Sequence, residues 1–95
     1  MTITTMAKVE NITSSRGNKV ANQFIFTDEI GNRYFQSYNS VIVKKDPSDK
    51  TYLDQKYWNY SNTTGKYRNI FLGETIKDTK AKIKSGEYIL TDLNK

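Results

Sequence analysis

Through most of the first half of the chain, apolar and polar residues alternate with a period of two, the signature of strands buried on one side. Between Val20 and Thr27, Val20, Asn22, Phe24 and Phe26 share one side, while Ala21, Gln23, Ile25 and Thr27 share the other. Between Arg33 and Tyr38, Tyr34, Gln36 and Tyr38 lie opposite Arg33, Phe35 and Ser37. Ala7 to Ile12 reads as an earlier strand, and the β-branched run from Ser40 to Lys45 as a later one. The connections are turn formers: Thr13 to Asn18, Asp28 to Asn32 with Gly31 available for positive φ, and Asp46-Pro47-Ser48-Asp49 with proline second. Short connections predict antiparallel neighbours. Thr51 to Asp54 is expected as a short edge strand.

The period then changes. Ser61, Asn62, Thr63 and Thr64 offer N-cap oxygens, and Tyr60, Thr63, Thr64, Tyr67, Ile70 and Phe71 recur at helical spacing. Gly73 ends this helix. Thr75 with Asp78 resembles a capping box and opens a second helix, which runs to about Ser85 and stops at Gly86. Glu87 to Thr91 reads as a last strand. The order predicts an α+β fold, a small antiparallel sheet with two short helices packed on one face. Residues 7–95 are expected to form this single domain, with 1–6 a disordered leader.

Ninety-five residues suffice for one hydrophobic core. The hydrophobic fraction of 36% is low, but 13% aromatic residues compensate, because each buried ring removes a large area from water. There is no His and no Cys. Their absence excludes Ser-His-Asp and Cys-His catalysis and zinc sites with nitrogen or sulfur ligands. No phosphate-cradling P-loop and no GxGxxG is present. Asp46, Asp49 and Asp54 lack the alternating spacing of a calcium loop and read as turn formers. Asp54-Gln55-Lys56 and Asp78-Thr79-Lys80 have the form of a two-metal nuclease triplet, which is common by chance, and Asp78 suits a helix N-terminus. The expectation is therefore a non-enzyme without metal or cofactor. Lack of cysteine, of a signal peptide and of a transmembrane run points to the cytoplasm and away from membranes.

The net charge is +5, unevenly spread. Six basic residues face five acidic ones up to Asp49, and nine face five from Lys50 onward. Such a surplus favours acidic partners, although a solvated surface explains it equally. Three features are candidates for binding. The segment Tyr52 to Tyr67 carries Tyr52, Tyr57, Trp58, Tyr60 and Tyr67 with Lys56, Lys66 and Arg68 beside them, rings interleaved with cations as suits base stacking or a protein interface. The alternative is that these aromatics build the core, the stronger reading for Tyr60, Tyr67 and Phe71. Lys77, Lys80 and Lys84 project from one helix face and suit phosphates, whereas Lys82 points elsewhere. Arg16 lies in a small polar loop able to grip a phosphate.

Three blocks also resemble known sequences: Asn22-Gln23-Phe24; Phe35-Gln36-Ser37-Tyr38 with Ser40; and Tyr57 through Leu72, with Tyr60-Ser61, Thr63-Thr64, Lys66-Tyr67 and Phe71-Leu72 prominent. Over about residues 8–93 the chain resembles a family of short proteins of unknown function encoded by bacteriophages and prophages. The resemblance carries over no catalytic residue. It implies a small accessory protein that binds a host protein or nucleoprotein complex handling nucleic acid, and blocks or redirects it as an anti-CRISPR protein does. Mimicry of DNA is disfavoured, because this chain is basic. The alternatives are direct, sequence-tolerant binding of DNA or RNA, and a small His-free RNA-cleaving toxin. The element order argues against the toxin, whose fold places its helices before most of its strands.

Overall fold

The computed structural model describes residues 6–13 and 16–94, of which 6–10 are described by their backbone alone. Residues 1–5 of the expected leader lie outside the described residues, and Met6 already belongs to the first strand. In chain order the elements are β1 (Met6–Thr13), β2 (Lys19–Asp28), β3 (Arg33–Ser37), β4 (Ser40–Lys45), β5 (Thr51–Asp54), α1 (Asn62–Leu72), α2 (Ile76–Ser85) and β6 (Tyr88–Thr91). The strands form one six-stranded sheet in the order β1-β2-β3-β4-β5-β6. This is the α+β architecture that the periodicity predicts.

One pairing departs from expectation. The first four are antiparallel, but β6 runs parallel to β5. β5 is therefore an interior strand rather than an edge. A parallel neighbour requires a crossover connection, and α1 and α2 supply it.

Local chemistry sets the helix ends. The Thr64 N–H donates to the Ser61 hydroxyl at 3.2 Å, which caps α1. Thr75 and Asp78 form a reciprocal capping box on α2. Gly73 and Gly86 close the two helices in the left-handed conformation, with φ of 69° and 85°.

Both helices lie on one side of the sheet. There, Phe35, Val43 and Leu53 stand in register across three strands, fully buried with Ile12, Ile42 and Tyr88 around them. Phe71 of α1 stacks on Phe35 at 5.9 Å between centroids. Burying each large apolar side chain stabilises the fold by about 1.5–3 kcal/mol. Register shifts between Phe35 and Gln36, which pair with Val43 and Val41, so Ile42 is the extra residue of a bulge. Neighbouring Ile42 and Val43 are therefore both buried, against simple alternation.

The α1 stripe also differs from expectation. Thr64 and Arg68 are its buried residues, with Tyr67, Phe71 and Leu72 packed against the core. Ile70 and Tyr60 are exposed. Tyr60 precedes the first helical residue and so is not bound to the helical period. The inward line runs from position 64 through 68 to 71 and 72, which carries Ile70 to the outer side.

Candidate functional site

Helices cover one face of the sheet; among the described residues no element packs on the other. That open face carries a continuous row. Phe26 pairs with Tyr34, Tyr34 with Lys44, Lys44 with Tyr52, and Tyr52 with Ile89. Directly paired residues point to the same face, so five successive strands each contribute one side chain. At about 4.8 Å per strand the row is roughly 19 Å long. Each of the five is half-buried, and none packs against the core cluster.

The row is pre-organised. The Phe26 and Tyr34 rings stack at 4.6 Å between centroids. The Tyr34 hydroxyl donates to Asp28 Oδ2 at 3.0 Å, and Asp28 also accepts from Asn32 Nδ2 at 2.8 Å and Asn32 N–H at 2.9 Å. Burial and the bond to Asp28 push the Tyr34 phenol up to about 12, so it stays a neutral donor. Burial alone would raise Asp28, but the hydrogen bonds from Asn32, Tyr34 and Ile30 outweigh it and hold the carboxyl below its ordinary value. At the other end, Lys44 Nζ and Lys50 Nζ lie 5.6 and 5.9 Å from the centroid of the Tyr52 ring. Two cations thus flank an aromatic surface.

A pocket of about 420 Å³ opens beside the β3–β4 turn. Tyr38, Tyr57 and Tyr60 form its aromatic walls, and Ser37, Asn39, Ser40 and Thr64 supply polar groups. Tyr57 and Tyr60 meet edge to face at 5.5 Å, and the Ser37 and Thr64 hydroxyls share a 3.0 Å hydrogen bond. Tyr38 is 50% exposed and has a φ of 55°, in the left-handed region.

The residues singled out in the sequence are scattered among different roles. Tyr57 lines the pocket, and Lys56 holds its Nζ 5.3 Å from the Tyr57 ring. Trp58 is half-buried and packs against the core. Arg68, expected to meet a partner, is instead 1% exposed. Its guanidinium lies 5.4 Å from the Trp58 ring and donates to the Trp58 carbonyl at 2.7 Å, Asn59 Oδ1 at 3.3 Å and Asn69 Oδ1 at 2.9 Å. It is an internal strut between α1 and the loop before it. Lys66 is exposed over the Tyr67 ring at 5.3 Å. Lys77, Lys80 and Lys84 are exposed on α2, which turns Thr79 and Ile83 inward. Lys82 pairs with the buried Glu74 at 2.8 Å, and Glu74 also accepts from the Tyr88 and Thr79 hydroxyls. Arg16 is exposed, although part of its loop lies outside the described residues.

The carboxylates of the two Asp-x-Lys triplets have structural partners. Asp54 is buried and accepts from the N–H groups of Lys56, Tyr57 and Leu93 at 3.0, 2.8 and 2.8 Å. Asp78 is engaged in the capping box. Asp46 bonds the Ser48 and Lys50 N–H groups within its turn. Among the described residues no three side chains of His, Cys, Asp or Glu gather as a metal site would require, and no helix is long and apolar enough to cross a membrane.

Sequence reasoning named Tyr52 and Tyr60 within the aromatic segment, with Tyr60 favoured as core, but it missed the open-face row as a site and did not single out Tyr38. The available signal was the shared side of Phe24, Phe26, Tyr34 and Gln36 in the alternation. No curated protein and no solved structure matches the chain. Residues 7–89 do match a family of unknown function, DUF8033, and the chain belongs to that family.

Proposed function

We propose that this protein is a non-catalytic, sequence-tolerant binder of single-stranded nucleic acid, which lies across the open face of the sheet. The observation that supports this most is the in-register row Phe26, Tyr34, Lys44, Tyr52, Ile89, with Lys50 beside it. Partly exposed rings on an uncovered sheet face offer bases a stacking surface, worth about 1–3 kcal/mol per base. Every base has a π face, so such a platform discriminates little between sequences. Duplex bases are already stacked on one another, so single strands fit it best. Lys44 and Lys50 suit the phosphates between stacked bases, and the +5 net charge attracts a polyanion at longer range. In this reading the protein works in the cytoplasm as an accessory factor of a nucleic-acid-handling complex, the setting implied by its resemblance to phage-encoded proteins.

A second reading, inhibition of such a complex through a protein contact as by an anti-CRISPR protein, draws on one observation. Ile70 is 54% exposed on α1, one turn after the exposed Lys66, which makes a small apolar and cationic patch. Fluorescence anisotropy with a labelled oligothymidine separates the two. Binding at about 50 mM salt that weakens steeply by about 200 mM is expected for phosphate contacts. Lys44→Glu with Lys50→Glu should abolish it with the melting temperature retained. Failure of the wild type to bind at the lower salt overturns the nucleic-acid reading. Capture of the same host protein after nuclease treatment, lost on Ile70→Glu, would favour the second.

A further inference from the structure

A second cavity, of about 390 Å³, lies against α1 and the loop before it. We infer that it binds a phosphate group, held by the side-chain amides of Asn59 and Asn69 and by Lys66, over the buried charge of Arg68. The cavity is on the helix side of the sheet, so this site depends neither on the open-face row nor on the nucleic-acid reading.

Arg68 carries an unneutralised charge. It is 1% exposed, and among the described residues no carboxylate lies close enough to pair with its guanidinium. Glu74, whose field reaches it, is bonded to Lys82. Burial accordingly pulls the guanidinium below its ordinary value, and Glu74 offsets only part of this. Arg68 Nε has no hydrogen-bond partner among the described residues. A buried charge is costly until an opposite charge faces it. Gly65 brings the cavity near that charge. It lines the cavity, and a Cβ there would stand 3.6 Å from Arg68 Nη2, so no side chain of its own covers the guanidinium on that wall.

Two amides are turned by the same charge. A guanidinium only donates, so carboxamide oxygens face it. Asn59 Oδ1 accepts from Arg68 Nη1 at 3.3 Å, and Asn69 Oδ1 from Nη2 at 2.9 Å. Both asparagines line the cavity, and their Nδ2 groups are left as donors. Arg68 thus sets the amide orientation as well as the local field.

The rest of the lining has the same sign. Lys66 is exposed on the wall, and no carboxylate belongs to it. α1 has no acidic residue in its first turn, and the positive end of its dipole lies beside Asn62, which also lines the cavity. Donors come from both the loop and α1. That arrangement suits the several acceptor oxygens of a phosphate, whereas a planar carboxylate is served by a single fork.

Inorganic phosphate and glycerol 3-phosphate, each titrated to about 10 mM, test this against chloride and acetate at matched ionic strength, because screening acts on every exposed charge. Melting temperature and the NMR signals of the Asn59 and Asn69 side-chain amides are the readouts. With a dissociation constant on the order of 1 mM, phosphate should raise the melting temperature by about 5 °C. Both amide signals should shift with it. Asn59→Asp places a carboxylate against Arg68, so it should melt above the wild type without phosphate and lose the phosphate response. Lys84→Gln lowers the net charge equally at an exposed site on α2 and should keep the response. Lys66→Ala should weaken phosphate about fivefold at the wild-type melting temperature. Stronger binding of glycerol 3-phosphate assigns the site to phosphomonoesters, and equal or stronger binding of inorganic phosphate assigns it to the free ion. An equal response to acetate or chloride overturns the site and leaves screening of the +5 charge as the cause. A full response in Asn59→Asp, or unmoved amide signals at the highest phosphate, overturns it as well. None of these outcomes involves Lys44 or Lys50, whose effect on oligothymidine tests the row separately.

Discussion

Gln23→Met should make the protein more stable. The Gln23 side chain is fully buried, and neither Nε2 nor Oε1 has a hydrogen-bond partner among the described residues. Alternation puts Gln23 in register with Ser37, on the side the helices cover. The Ser37 hydroxyl is committed to Thr64. An unsatisfied buried polar group costs about 1–3 kcal/mol, and methionine has a similar length with no amide to desolvate. A gain of about 1–2 kcal/mol is expected after some loss of fit. With a transition entropy of about 2.1 cal/mol/K per residue, a chain of this length shifts roughly 5 °C per kcal/mol, so the melting temperature should rise by about 5–10 °C. Calorimetry measures this directly, and urea unfolding with an unchanged m value checks that the denatured state is not the cause. Gln23→Ala serves as the control, because it removes the amide but opens a cavity and should lower stability. Oligothymidine affinity should stay at the wild-type value in Gln23→Met, since this residue lines neither the row nor the pocket. A Gln23→Met protein that melts below the wild type would refute the reasoning; the amide would then be satisfied in solution, most simply through ordered water.

Arg68→Ala should cost about 3 kcal/mol, from lost packing under Trp58 and an orphaned Trp58 carbonyl; unchanged melting with collapsed nucleic-acid affinity would return Arg68 to the interface. Acid should destabilise the fold through Asp28, Asp54 and Glu74, each desolvated by burial yet held below its ordinary value by hydrogen bonds. A carboxyl depressed in the native state contributes stability above its unfolded value of about 4 and loses it as pH falls through the native value, so melting temperature should drop steeply below about pH 4. A flat profile from pH 7 to 3 contradicts this. Alkali acts through Tyr34 and Tyr88, whose phenols are pushed up to about 12 by burial and by their bonds to Asp28 and Glu74. Their contribution is complete below the unfolded value of about 10 and is lost between about pH 10 and 12, so Tyr34→Phe with Tyr88→Phe should flatten the decline there. Changing Lys77, Lys80 and Lys84 together to Ala should move stability by less than about 0.5 kcal/mol and leave the salt dependence of oligothymidine binding unaltered, because α2 faces away from the open side; a shallower salt dependence would move phosphate contacts to α2.

Local pattern by itself determined much of this protein. Period-two alternation already sorted Tyr34 and Gln36 from Arg33, Phe35 and Ser37, and the structure keeps that division. Ser61, the Thr75–Asp78 pair, Gly73 and Gly86 set the helix ends through groups only a few residues apart. Such features depend on nearest neighbours along the chain, so they can be read without the fold. Tertiary structure decided which side of the sheet the helices cover, and so whether Phe26, Tyr34 and Tyr52 are core or platform. It decided the parallel placement of β6 beside β5, which made an expected edge strand interior. It inserted the bulge that buries Ile42 next to Val43, and it rotated α1 so that Arg68 points inward and Ile70 outward. The pocket joins residues 37–40, 42, 57, 60 and 64, brought together only when α1 docks on β3. Each of these depends on register, crossover or helix rotation, which are settled by contacts between segments distant in sequence and leave no periodic trace within any one of them.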